Sequence, residues 1–224
     1  MPKEIVALKD LSLKLQYRTD VDNLVTEFFV PCLSNAIEYD RAVQYVTLKS
    51  ISTLSLGLQN FADHDGKIRI ITGHRYSTTD LDILGKIFNK KNGTFSLGAI
   101  HSHKLEILQR LVQKNKIQIK IAIPRSEHVD GSFSERIGIF RDEQGEMVAY
   151  TGTSNETFNT ENRNFESIDV YTSWNDRPRV DIKISDFERL WNNETKYVQV
   201  HDFAYAYQNN LLKYDSHWAI ETLS

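Results

Sequence analysis

Apolar residues recur along this chain with two alternating periods, and the alternation predicts helices and strands in turn. After Asn23, the residues Leu24, Val25, Phe28, Phe29, Leu33, Ala36 and Ile37 repeat at helical spacing. Pro31 falls inside that run and is expected to kink or divide the helix, because it lacks a backbone N–H. Residues 41–46 then read as a strand, and Leu48, Ile51, Leu54, Leu58 and Phe61 again fit one face of a helix. Asp65-Gly66 stops that helix, and 67–72 (KIRIIT) is a buried strand.

The second half repeats the theme. Ser77 to Asp80 has the form of a capping box ahead of Leu81, Leu84, Ile87 and Phe88. A helix over about 99–114 carries Leu105, Leu108, Leu111 and Val112, and Ile117, Ile119, Ile121 and Ile123 alternate with other residues as a strand closed by Pro124. Residues 135–140 and 147–151 pair as a hairpin across the turn Asp142-Glu143-Gln144-Gly145. A strand over 168–172 and helices over about 184–193 and 203–213 complete the reading. Strands alternating with helices predict an α/β fold built on one shared sheet. We divide it into an N-terminal arm (1–22), a main domain (23–176) and a C-terminal helical extension packed on the same domain (177–224). No internal repeat or low-complexity segment is evident.

Composition narrows the function. The 224 residues are 40% hydrophobic and 25% charged, the balance of a soluble globular protein. A net charge of −3 and a pI of about 6.2 give no basic footprint, so any nucleic-acid contact must come from a local patch. The single cysteine, Cys32, lies in an apolar stretch and cannot form an internal disulfide, which fits a buried thiol in a reducing compartment. The N-terminus lacks the apolar run of a signal peptide and no segment approaches a membrane span, so the expected location is cytoplasmic.

Candidate chemistry concentrates between Gly131 and Trp174. Gly152-Thr153-Ser154-Asn155-Glu156-Thr157 follows a strand, and Asn164-Phe165-Glu166 precedes the next. Small and amide residues at a strand exit can turn hydroxyl, amide and backbone N–H donors toward an anion, and they also make ordinary turns. Taken alone, the residues favour the turn.

In order along the chain, seven blocks resemble one family: 28–41 (FFVPCLSNAIEYDR), 66–71 (GKIRII), 119–124 (IKIAIP), 137–142 (IGIFRD), 152–157 (GTSNET), 164–170 (NFESIDV) and 187–193 (FERLWNN). Residues 24 to 215 resemble the phospholipase D-like domain found at the N-terminus of bacterial DEAD/DEAH-box helicases of restriction and phage-defence loci, and in related metal-independent restriction endonucleases. The resemblance implies a phospholipase D-like α/β sandwich with a mixed central sheet flanked by helices. It also implies a homodimer, a helicase motor in cis or in trans, and a nucleic-acid ligand, with DNA preferred. No cofactor or metal is implied. Such domains use a His-x-Lys motif, a Gly-Ser-x-Asn motif and a downstream Glu; the histidine attacks phosphorus to form a covalent intermediate, and lysine and asparagine hold the phosphoryl oxygens.

The carry-over breaks at one place. The His-x-Lys positions fall on Ser134-Glu135-Arg136. A hydroxyl of high pKa is a poor nucleophile without a general base, whereas neutral imidazole attacks near pH 7. Arg136 keeps a positive charge and can grip a phosphate bidentately, although its planar fork is no copy of an ammonium. Asn155 and Glu166 match the pattern, and Thr153 replaces the serine with its hydroxyl retained. The expected catalytic positions are therefore Ser134, Arg136, Asn155 and Glu166, and the expected phosphate ligands Arg136, Thr153 and Asn155.

Three readings follow: a degenerate module that binds nucleic-acid phosphate and dimerises, an active metal-independent phosphodiesterase using Ser134 or a displaced histidine, and a purely structural dimerisation domain. His128 lies six positions before Ser134; His101 and His103 have no accompanying ligands at metal-site spacing; His74 at a strand end reads as a turn residue. Tyr17, Tyr39, Tyr45, Tyr76, Tyr150, Tyr171 and Trp174 are expected in the core more than in a base-stacking platform. Lys114, Lys116, Lys120 and Arg125 could line a phosphate track or a solvated strand edge. No GxxxxGK[ST] pattern occurs, so the chain carries no ATPase P-loop.

Overall fold

A computed structural model describes residues 5–47, 55–77, 81–82, 84–85, 88, 110–125, 131–153 and 165–214. Within them the chain forms β1 (Gln16–Arg18), a helical segment, β2 (Glu38–Val43), α2 (Ser55–Asp63), β3 (Lys67–Gly73), β4 (Arg75–Tyr76) and β5 (Ile117–Pro124). There follow β6 (Ile137–Arg141), β7 (Met147–Gly152), β8 (Ser167–Thr172), α3 (Arg177–Trp191), β9 (Val198–Asp202), α4 (Phe203–Gln208) and β10 (Lys213–Tyr214). The helical segment is a π-helical turn, Val25–Phe29, running without a break into α1 (Val30–Asn35); Pro31 directly follows the π turn, and the Glu27 carbonyl four residues before it lies 3.5 Å from the Tyr17 hydroxyl.

Eight strands form one sheet in the order β1-β8-β7-β6-β2-β3-β5-β9. The inner strands β2, β3 and β5 run parallel; every other pairing in that sheet is antiparallel. The fold is thus α/β with a mixed central sheet flanked by helices, as expected. A short parallel pair, β4 with β10, stands apart.

Strand alternation sends residues to two cores. One face carries Tyr39, Ile68, Ile119, Phe140, Val148 and Tyr150, packed with Phe28, Phe29, Leu33, Phe61 and Phe203 from the first two helices and α4. The other carries Ala42, Ile71, Ala122, Ile139 and Ala149 under Val180, Phe187 and Leu190 of α3. Gly138 shapes the first core: a Cβ there would fall inside the ring of Tyr150, its partner on β7. The ring instead stacks near Phe140, 5.9 Å away, while the Tyr150 and Tyr39 hydroxyls share a hydrogen bond of 2.7 Å.

Several expected boundaries shift. The strand read at 41–46 is β2 at Glu38–Val43, because the helix ends at Asn35 and Ile37 N–H already donates to Arg141 C=O at 2.8 Å. The helix read from 184 begins at Arg177, seeded by Asp176, whose side chain accepts the Arg179 N–H; the polar face of its first turns hid the helical period. The helix read over 203–213 stops at Gln208. The strand β9 was not anticipated at all. It covers β5, so the lysines of that segment do not line a sheet edge. Lys116 pairs with Asp65 at 2.6 Å, and Lys120 donates to Trp191 C=O at 2.9 Å with its ammonium over the Trp191 ring. Of the capping box read at Ser77 to Asp80, residues 78–80 lie outside the described residues; the Ser77 carbonyl accepts the Leu81 N–H at 3.0 Å.

Candidate anion-binding site

Topology decides which residues can meet. The parallel strands β2, β3 and β5 end on one side of the sheet; β6, antiparallel to β2, starts there. By successive reversals β7 ends there, β8 starts there and β1 ends there. Gln44 and His74, just past β2 and β3, therefore share that end with Ser134 and Arg136 before β6, Thr153 after β7, Glu166 before β8 and Thr19 after β1. The phase of alternation places Arg136 with Gly138 and Phe140, and Glu166 with Ile168 and Val170, on the face that α1 covers.

Arg136 is half-buried and held. Its Nη2 donates to Gln44 Oε1 at 2.8 Å. Gln44 is fixed in turn by the Gly73 N–H, which donates to its carbonyl at 3.0 Å. Gly73 permits that approach, since a Cβ would stand 2.6 Å from the Gln44 oxygen. Ser134 is exposed, and its hydroxyl lies 3.5 Å from that of Ser132, another hydroxyl and not a base. Nothing among these contacts would activate it as a nucleophile.

Glu166 is buried, 3% exposed, and its backbone is clamped to β1: its N–H donates to Thr19 Oγ1 at 2.9 Å and its carbonyl accepts the Thr19 N–H at 3.0 Å. Thr153 closes the base of the loop between β7 and β8. Its N–H donates to Ser167 C=O at 2.9 Å, and its Oγ1 accepts the Ser167 N–H at 3.0 Å. Gly152, at φ +150°, is needed there because a Cβ would collide with the Ser167 carbonyl. The Thr153 hydroxyl thus ties the end of β7 to the start of β8. Asn155 lies outside the described residues, as do His101, His103 and His128.

Two further polar residues at this end are buried. His74 sits in the bend between β3 and β4, is only 4% exposed, and lines a small cavity with Gln44, Gly73, Arg75, Ser132 and Phe133. Arg41, 2% exposed, extends its guanidinium over the Tyr150 ring, 5.0 Å from the centroid. A polar residue directly after a β-branched strand is the signal that could have flagged His74; Arg41 inside β2 offered no local cue. Cys32 is fully buried, and burial pushes its thiol well above the ordinary range, which makes it an inert structural residue. No group of three or more His, Cys, Asp or Glu side chains suited to a metal occurs among the described residues. Nor is any helix among them long and apolar enough to cross a membrane.

Of the groups at this sheet end, the Arg136 guanidinium and the exposed Ser134 hydroxyl could meet an anion, whereas the buried Glu166 carboxylate would repel one and can only balance a nearby cation. The sequence matches no protein-family model and no curated protein sequence. Among solved structures the chain is similar to NucT from Helicobacter pylori, at 12% identity and a TM-score of 0.46, over 79% of this chain and 95% of that one. It is similar to phosphatidylserine synthase from Haemophilus influenzae Rd KW20, at 9% identity and a TM-score of 0.47, over 92% of this chain and 45% of that one. For yeast tyrosyl-DNA phosphodiesterase the figures are 12% and 0.36, over 61% and 26%. At such identities the chemistry has to be argued from this chain's own residues.

Proposed function

We propose that this chain is a phospholipase D-like domain of the nuclease and phosphodiesterase kind, with a degenerate site that binds nucleic-acid phosphate in place of cutting it. One observation carries the reading. The residues at the family's motif positions, Ser134, Arg136, Thr153 and Glu166, come from the ends of three successive strands and stand at the same end of one sheet. Arg136 supplies the phosphate grip, and Ser134 stands where an imidazole would have to be. Asn155 completes the cradle, two identical chains share the site across a two-fold axis, and a helicase motor of a restriction or phage-defence system works with it in cis or in trans.

The test is direct. Purified protein should not nick single- or double-stranded DNA or RNA in EDTA. Arg136→Ala should weaken oligonucleotide binding and flatten its salt dependence, since each phosphate contact releases counterions. EDTA-resistant cleavage abolished by Ser134→Ala would overturn the degenerate reading and favour an active phosphodiesterase. The double substitution Ser134→His with Arg136→Lys should gain cleavage if the rest of the pocket is competent.

A second reading, a purely structural dimerisation domain, is favoured by the internal use of two motif side chains: Arg136 on Gln44 and Thr153 on Ser167. It predicts that Arg136→Ala lowers stability and leaves binding unchanged.

A further inference from the structure

Phe165 precedes the buried Glu166 and is 60% exposed. Alternation explains the contrast: the β1–β8 clamp through Thr19 holds Glu166 facing inward, so its neighbour is turned out at the rim of the same sheet end. One exposed phenylalanine needs no explanation by itself. This one is backed by a cation, for the Arg18 guanidinium lies 4.9 Å from its ring centroid. Arg18 is itself held in place: its N–H donates to Asp22 Oδ2 at 2.7 Å, its Nε to Asp20 Oδ1 at 3.3 Å, and it pairs in register with Ser167. The ring is thus fixed at one face and open to solvent at the other.

We propose that Phe165, backed by Arg18, is a nucleobase-stacking platform at the same sheet end as the anion site and on the opposite face, and that the ligand is therefore a single-stranded nucleic acid. The inference rests on the phosphate-binding reading above. The strands β8 and β6 are separated only by β7, and by register Arg136 is level with Ile168, three residues from Phe165, so their backbones stand roughly 14 Å apart with the two side chains on opposite faces of the same sheet end. A base on the ring places its strand at the sheet end, and a few nucleotides of an extended strand, passing round that end, reach Arg136 on the other face. Paired bases in a duplex already have both faces stacked and cannot cover the ring. An unpaired base can, and an arginine-backed aromatic is a recurrent way of holding one without sequence preference.

The experiment compares a fluorescently labelled oligothymidylate with an abasic oligomer of the same length, which has the same phosphates and no bases. Phe165→Ala should weaken oligothymidylate binding roughly tenfold and leave abasic binding unchanged. Phe165→Trp should retain affinity, and its fluorescence should be quenched by oligothymidylate and not by the abasic strand. If Phe165→Ala leaves both affinities unchanged while Arg136→Ala lowers both, the platform is wrong and the phosphate site stands. If neither oligomer binds the wild-type protein, both ideas fall. Sedimentation velocity covers the other occupant: should Phe165→Ala convert a dimer into monomers, the ring packs against a second copy and the platform is overturned.

Discussion

Arg136 reaches across the end of β2 to donate to the Gln44 side chain at 2.8 Å, and Gln44 is anchored to β3 through the Gly73 N–H. A flexible cation at the motif position is thereby held in one orientation by a residue that has no place in the motif. Holding a guanidinium before the ligand arrives removes part of the ordering cost of binding.

Gln44 can therefore be separated from a merely structural partner. Gln44→Leu should lower oligonucleotide affinity several-fold, less than Arg136→Ala does, with a modest loss of stability. Gln44→Glu should raise the melting temperature by turning the hydrogen bond into an ion pair, and should lower affinity by neutralising the guanidinium. Affinity and stability moving in the same direction in Gln44→Glu would refute the positioning role. Anisotropy titrations and thermal melts of the three variants decide it.

The contact between Gly138 and Tyr150 makes a prediction about the fold alone. Gly138→Ala forces a methyl group into a fully buried ring that is also hydrogen-bonded to Tyr39. Overpacking of that kind costs about 2 kcal/mol, or roughly 6 °C in melting temperature for a chain of this size. Gly145, at φ +82° in the β6–β7 turn, has open space around it, so Gly145→Ala should cost only the backbone strain. Calorimetry that found the two variants equally stable would contradict the packing assigned to Tyr150.

Stability toward acid should depend on the surface cluster of Lys14, Asp22 and Glu27. The Lys14 ammonium, 2.5 Å from Asp22 Oδ1 and 2.8 Å from Glu27 Oε2, holds both carboxyls below their usual range, helped by the N–H groups of Arg18 and Asn23. For Glu27 the Asn23 N–H is the larger influence. A carboxyl lowered on folding adds stability above its unfolded pKa, about 4, and that contribution disappears as the pH falls through its folded pKa. Urea midpoints measured from pH 6 to pH 3 should fall less steeply in Lys14→Met than in the wild type. The effect should also shrink at high salt, since the cluster is exposed. Parallel curves for the two proteins would rule the cluster out.

Legibility differed between local and distant features. The runs that became β3, β5 and the β6–β7 hairpin were clear because period-2 patterns and a Gly-containing turn lie within a few residues. The first seven residues of α3 were not, since its face under the sheet offers only Val180 there among charged neighbours. Strand β9 was also missed, because its five residues gain their stability from pairing with β5 some eighty positions away. At the site, Ser134, Arg136, Thr153 and Glu166 could be named from motif resemblance. Gln44 and His74 could not, for they lie outside every resembling block and matter only by position.

What the amino-acid order determined alone is the succession of elements, the two-faced character of the strands and the residues standing at the motif positions, all set by interactions over a few residues. Only the tertiary structure decided the strand order, the burial of Arg41 and His74, the commitment of the Thr153 hydroxyl to Ser167 and the seating of Arg136 on Gln44. Those depend on pairings between segments tens to more than a hundred residues apart. Their energies come from packing and hydrogen bonds that no local window contains.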